Sequence, residues 1–154
     1  MAIEIERKFL VQTDAWRSAA GEGFACRQGY LAADGARTVR VRIMGRVGYL
    51  TVKGATSHIS RLEFEYEIPV DDAEALLGLC ENVVEKTRYL IPHAGMTWEL
   101  DVFEGANAGL VMAEIELVSE EQGFEKPDWV GEEVSGDKRY YNAQLSRHPY
   151  SEWP

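Results

Sequence analysis

The stretch Ile3-Glu4-Ile5-Glu6-Arg7-Lys8-Phe9-Leu10-Val11 decides how this 154-residue chain folds. Ile3, Ile5, Phe9 and Val11 share one parity, and Glu4, Glu6 and Lys8 share the other. Successive side chains of a strand point to opposite faces, so the run predicts a β-strand with one apolar and one charged face. Two carboxylates and an ammonium then follow one another at steps of about 7 Å. Alone, such a strand could be the edge of any sheet wetted on one side. Its meaning depends on whether the chain repeats it.

The chain does repeat it. Residues 37–44 set Thr38, Arg40 and Arg42 against Val39, Val41 and Ile43, and 49–53 set Tyr49, Thr51 and Lys53 against Leu50 and Val52. The longest alternation, 59–70, places Arg61, Glu63, Glu65 and Glu67 opposite Leu62, Phe64, Tyr66 and Ile68. Residues 83–91 carry Lys86 and Arg88 on one face. Residues 97–103 carry Glu99 and Asp101, and 110–118 carry Glu114 and Glu116. A weaker strand, 24–31, holds Arg27, Gln28 and Tyr30. Asp34-Gly35 and the glycines between 45 and 48 are turn signals. A short helical segment after Asp14, a helix over 72–81 capped by Asp71 with Glu74, an acidic helical turn over 119–123 and a last helix over 138–147 behind Ser135 or Asp137 complete the reading. The count is about eight strands in mostly antiparallel order with two or three helices.

Length and composition fit one domain spanning 1–154, since the 45% hydrophobic and 27% charged contents are those of a globular protein. No apolar run approaches the roughly 20 residues of a membrane helix, and no secretory leader is visible. Two cysteines, Cys26 and Cys80, make no disulfide framework, so a reducing cytoplasm is expected. A net charge of −10 argues against a nucleic-acid surface, yet leaves a small anionic ligand open. Trp98, Tyr66 and Phe64 fall on the apolar parity, where either helices or a second copy in a homodimer would cover them.

Solvated faces of an ordinary sheet account for any one of these strands. Together the strands suggest more, because nearly every polar slot is a carboxylate or a base. Closing them into a barrel puts the charged face inside, where eight strands leave room for packed side chains or one small ligand. Nine acids (Glu4, Glu6, Glu63, Glu65, Glu67, Glu99, Asp101, Glu114, Glu116) then face seven bases (Lys8, Arg40, Arg42, Lys53, Arg61, Lys86, Arg88), a lumen two charges negative. One or two divalent cations would reverse that sign and let a polyanion bind. All-carboxylate oxygen ligands suit Mg²⁺ or Mn²⁺, and the histidines at 58, 93 and 148 show no zinc spacing. Arginine and lysine facing hydrated metal are what a phosphate chain requires. No glycine-rich phosphate loop is present.

Glu4-Ile5-Glu6-Arg7-Lys8 resembles the E-x-E-x-K signature of the CYTH family, the triphosphate tunnel metalloenzymes. Arg40-Val41-Arg42, Thr51-Val52-Lys53-Gly54, Arg61 with Glu63 and Glu65, Glu85 to Tyr89, Glu99-Leu100-Asp101, Glu114-Ile115-Glu116 and Asp137 to Tyr140 follow in the same order. The resemblance covers nearly the whole chain. It implies a closed eight-stranded antiparallel β-barrel with a few flanking helices, binding triphosphate compounds with Mg²⁺ or Mn²⁺. Members include tripolyphosphatases, thiamine triphosphatases and class IV adenylate cyclases; this short chain looks most like the small bacterial tripolyphosphatases. By the same resemblance, Glu4, Glu6, Glu114 and Glu116 are metal candidates, with Glu63, Glu65 and Asp101 for a second ion or the attacking water. Arg40, Arg42, Lys86, Arg88 and Arg61 would clamp phosphates. Lys8 and Lys53 resemble a lysine pair whose mutual repulsion lowers the pKa of each, so that one positions or deprotonates water. Tyr30 is a further catalytic candidate, and Lys138 would help to close one tunnel mouth. The alternatives are another triphosphate-processing activity or a non-catalytic polyphosphate-binding module.

Overall fold

The computed structural model describes residues 2–154. Nine strands form one sheet: β1 (Ile3–Val11), β2 (Phe24–Ala33), β3 (Arg37–Met44), β4 (Val47–Gly54), β5 (Ser60–Ile68), β6 (Val83–His93), β7 (Met96–Phe103), β8 (Val111–Glu116) and β9 (Val130–Glu133). Their spatial order is β5-β4-β3-β2-β6-β7-β8-β1-β9, every pairing is antiparallel, and β1 also pairs with β5. That last pairing, Ile3 opposite Leu62 and Ile5 opposite Ser60, closes eight strands into a barrel and leaves β9 outside the ring. Closure removes the free edges an open sheet would expose. Two α-helices accompany it, α1 (Val70–Leu77) and α2 (Asn142–Arg147).

The period of two sorts the side chains as the alternation requires. Outward residues of β1, β6, β7 and β8 (Phe9, Ile91, Trp98, Leu100, Ala113, Ile115) pack beneath Trp16, Phe124 and Trp129, which come from the connections outside the barrel. Trp98 is wholly buried there, meeting Phe9, Phe124 and Trp129 edge to face at ring separations of 5.5, 5.8 and 5.7 Å. Phe64 and Tyr66, of the same parity, stay exposed on β5. Val41 and Ile43 of β3 are covered by Ala73 and Leu77 of α1. At one end of the barrel Leu145 of α2 meets inward Val84, Phe103 and Met112, so an apolar plug seals what the charged residues do not fill.

Three helical expectations shift. The helix expected over 72–81 begins at Val70 behind Pro69, whose missing N–H costs nothing at a helix start, and neither Asp71 nor Glu74 caps it. Residues 119–123 form only a turn, because their task is to carry Phe124 and Trp129 over Trp98. The last helix breaks at Tyr141, whose extended backbone (φ −70°, ψ 135°) separates a 3₁₀ turn, Lys138–Tyr140, from α2. Asp137 caps that turn as expected, accepting from the Arg139 N–H at 3.1 Å. β9 went unread, being only four residues long. Gly131 lets it lie on β1, since a Cβ there would stand 3.1 Å from the Leu10 carbonyl oxygen.

Leu145→Ala should lower stability by about 2–5 kcal/mol, the cost of a cavity under a fully buried leucine. Urea denaturation checks this; a loss below about 1 kcal/mol would show that the plug is not packed as described.

Candidate active site

The barrel encloses a cavity of about 340 Å³. Its walls carry Glu4, Glu6 and Lys8 of β1, Tyr30 of β2, Arg40 and Arg42 of β3, and Lys53 of β4. Arg61, Glu63 and Glu65 of β5, Lys86 and Arg88 of β6, Glu99 of β7, and Glu114 and Glu116 of β8 complete the ring. Sheet register makes most of them neighbours. Lys8 lies opposite Glu114 and Glu6 opposite Glu116; Lys53 lies opposite Glu63. The Lys8 Nζ is 3.2 Å from Glu114 and 3.7 Å from Glu6, while the Lys53 Nζ is 2.9 Å from Glu4 and 3.3 Å from Glu63. Arg42 reaches Glu65 at 3.1 Å, Arg88 reaches Glu99 at 2.9 Å and Arg61 reaches Glu4 at 3.7 Å.

Asp101 has a different place from the metal role expected of it. It is buried, does not line the cavity, and has both oxygens engaged: Oδ1 accepts from the Arg88 Nε at 2.8 Å, and Oδ2 from the Lys86 Nζ at 2.8 Å and Arg88 at 2.9 Å. These two cations hold its carboxyl below the usual range although burial alone would raise it. Asp101 therefore anchors two bases and is not free for an ion. Asn142 of α2 gives the Lys86 Nζ a second acceptor at 3.0 Å. Glu67 is exposed and absent from the cavity wall.

Arg37, Lys138 and Arg147 join the rim with Asp34, so ten basic residues face eight acidic ones. The lining is thus two charges positive, where the strand count gave two negative. Half of the reversal comes from Glu67 and Asp101, which do not line the cavity, and half from Lys138 and Arg147 of the C-terminal segment, whose approach to the mouth no strand alternation reports; Asp34 and Arg37 cancel.

Electrostatics divide the acids into two kinds. Burial would raise Glu114 and Glu4, but Lys8 with Arg88 and Lys86 holds Glu114 well below the carboxylate range, and Lys53 does the same more weakly for Glu4. Glu6 goes the other way: burial and the Glu114 charge push it up to about 8. Glu116 and Glu63 are also raised, by burial and then by Glu4. Lys8 corrects a second expectation. Burial would lower it, yet Glu114 and Glu6 raise it above its ordinary value, so it stays an ammonium and is no general base. It does not pair with Lys53, because each lysine has its own carboxylates.

Among the described residues, no three acidic, histidine or cysteine side chains converge as a ready ligand set. Most of the carboxylates are drawn to bases. The donor chemistry nonetheless suits a hard cation, which takes one or two carboxylates and completes its shell with water and phosphate oxygens. Glu6 and Glu116, paired across β1 and β8 with raised proton affinity, are the carboxylates with most to gain from one.

On the opposite wall Arg40 is buried with no carboxylate within salt-bridge reach. Its one side-chain bond goes to the Thr51 hydroxyl at 3.3 Å, and its Nε has no acceptor. The buried Arg42 Nε is likewise unpaired. An unmatched buried guanidinium is costly unless an anion completes it. Together these features mark an anion tunnel with an acidic wall.

A model of the CYTH domain matches residues 2–147. The chain belongs to the CYTH family. Curated CYTH relatives named inorganic triphosphatase include one from Acetivibrio thermocellus, 54% identical over 152 residues and 97% of both chains. Another, from Nitrosomonas europaea, is 41% identical over 149 residues, 93% of this chain and 96% of its own. A crystal structure of an inorganic triphosphatase is 40% identical with a TM-score of 0.66 and 95% coverage of both chains. CYTH membership implies a divalent-metal requirement. Tyr141, Asn142, Gln144 and Arg147 also line this tunnel, and no motif pointed to them; the helix breaks that aim them inward are tertiary features.

The raised Glu6 gives a signed prediction for metal-free protein. Its folded pKa of about 8 exceeds its ordinary 4.5, so its contribution should be intact below pH 4.5 and decline as pH rises toward 8. Urea melts with a chelator present should show that decline, and Glu6→Gln should flatten it. An unchanged slope in the variant would place the titration elsewhere.

Proposed function

We propose that this protein hydrolyses inorganic tripolyphosphate to pyrophosphate and phosphate, using Mg²⁺ or Mn²⁺. The observation that carries the reading is Arg40: a buried guanidinium without a carboxylate, facing a cavity beside a carboxylate wall. Such a charge asks for a multiply charged anion, and the opposite wall asks for the cation that accompanies one. The names of the relatives point to the same substrate.

In this reading Arg40, Arg42 and Arg88 grip the phosphate chain, with Lys86 held in place by Asp101. Arg61 and Lys138 act nearer the rim. Glu4, Glu6, Glu114 and Glu116 provide the first ion's ligands, and Glu63 and Glu65 those of a second. A divalent ion held there neutralises charge on the leaving phosphate and acidifies water. Lys8 and Lys53 pair with those carboxylates, Lys8 as an ammonium orienting a terminal phosphate oxygen. Tyr30, whose hydroxyl accepts from the Gln28 Nε2 at 3.2 Å, positions the substrate beside Arg40. The rim near the β2–β3 turn sets the small residues Ala33, Gly35, Gly54, Ala55 and Ala143 beside Arg37 and Arg147.

Tripolyphosphate, ATP and thiamine triphosphate should each be offered with Mg²⁺ or Mn²⁺ and the products separated. Phosphate released chiefly from tripolyphosphate is the expected result. Cyclic AMP from ATP would replace the reading with a cyclase, and binding without turnover would leave a polyphosphate-binding module. Arg40→Ala should lower kcat/KM for tripolyphosphate by roughly a hundredfold, the scale of one lost charge-assisted contact to phosphate, with the fold intact by circular dichroism. A wild-type value in that variant would remove Arg40 from the clamp.

A further inference from the structure

Hydrolysis of a triphosphate consumes one water per turnover. The water oxygen forms a new bond to the terminal phosphorus, the bridging P–O bond breaks toward pyrophosphate, and a proton is released. On the hydrolase reading, a phosphate chain gripped by Arg40, Arg42 and Arg88 would lie over the lumen side of Glu4, Glu6 and Lys8, which line the same cavity. Behind those three residues the barrel wall is split. β5 accompanies β1 only as far as Ile5, and β9 joins it only at Phe9. Between these points the Glu6 N–H donates to the Ile59 carbonyl at 3.2 Å, and the Lys8 N–H to the Ser135 hydroxyl at 2.9 Å.

A second cavity, of about 20 Å³, lies at this split. Glu4, Glu6 and Lys8 bound it toward the lumen, and His58, Ser135 and Tyr141 are among the residues that bound it elsewhere. Its volume suits one water, which needs about 10–15 Å³ and two to four polar partners, and is too small for phosphate. The frame is well fixed. Ser57 and Ser60 exchange backbone hydrogen bonds of 2.8 and 3.0 Å around a two-residue turn, with the exposed His58 at φ 57°. The Tyr141 ring stands 5.5 Å from the Lys8 Nζ, and its hydroxyl donates to the Ser135 carbonyl at 3.3 Å.

We propose that this split is a water port: it holds one water against Glu6 and Lys8 and refills it from solvent past His58 while the substrate occupies the tunnel. The proposal rests on the hydrolase reading. His58 acts as a gatepost and never touches substrate.

A crystal structure with Mg²⁺ and the uncleavable imido analogue of tripolyphosphate should show an ordered water in the split, within hydrogen-bond distance of Glu6 or Lys8; a dry split overturns the port. His58→Trp, which fills the opening, should lower kcat roughly tenfold with KM unchanged, while His58→Ala retains the wild-type kcat. Equal loss in both variants would mean that the imidazole itself matters and would overturn the port, as would full kcat in His58→Trp. If the wild-type protein does not hydrolyse tripolyphosphate, the hydrolase reading falls and the port with it. If it does, those results remove the port alone.

Discussion

Everything in this molecule depends on how a closed barrel keeps charge on its inside. Taking a carboxylate or an ammonium out of water costs several kcal/mol unless a partner is met at close range. The strand period of two brings charge inward at every second residue, and the antiparallel register decides what each one meets. Lys8 against Glu114, Lys53 against Glu63 and Arg88 against Asp101 are register pairs, each within 3.3 Å. A slip of one residue would turn the lumen charges outward and the covered apolar face inward. Register, closure and the site are therefore one constraint.

The outside of the barrel had to be solved separately, and unevenly. Aromatic cover from the 117–129 connection buries the β1–β8–β7–β6 face, and α1 buries β3. Ile3, Leu62, Phe64 and Tyr66 on the β1–β5 seam are left 42–60% exposed. The seam is also where the barrel closes and where β1 changes neighbours from β5 to β9. Its hydrogen bonds are made by Ile59 and Ser135 in place of a regular ladder, which is why the wall is thin beside Glu6 and Lys8.

Alternation made the strands and most of the inward set legible, because in β-structure sequence parity is a direct spatial coordinate. Alternation runs the whole length of β3, residues 37–44. What stayed hidden depends on tertiary placement. Asp101 has the parity of a metal ligand, and only its depth beside Lys86 and Arg88 commits both its oxygens to them. Arg147 and Tyr141 enter the cavity wall because the C-terminal segment breaks at Tyr141, and a hexapeptide helix leaves no periodic trace. Lys8 and Lys53 both face the lumen, but which carboxylates each meets, Glu114 and Glu6 or Glu4 and Glu63, follows from closure and register.

Pairing inside the lumen is deliberately incomplete in its effect: the acids concentrate on β1 and β8, while Arg40 and the Nε of Arg42 lack acceptors. Fully matched charges would make a stable, inert core, with nothing to gain from a ligand. Here burial and the Glu114 charge push Glu6 up to about 8, while on the far wall Arg40 makes no direct ion pair and the Nε atoms of Arg40 and Arg42 lack acceptors, so the two walls keep unused capacity of opposite kinds. On the proposed function, a metal–phosphate complex, positive on one side and negative on the other, would answer both walls at once. On that reading, binding of ion and anion would be coupled through the field of the lumen, a coupling that needs no moving part.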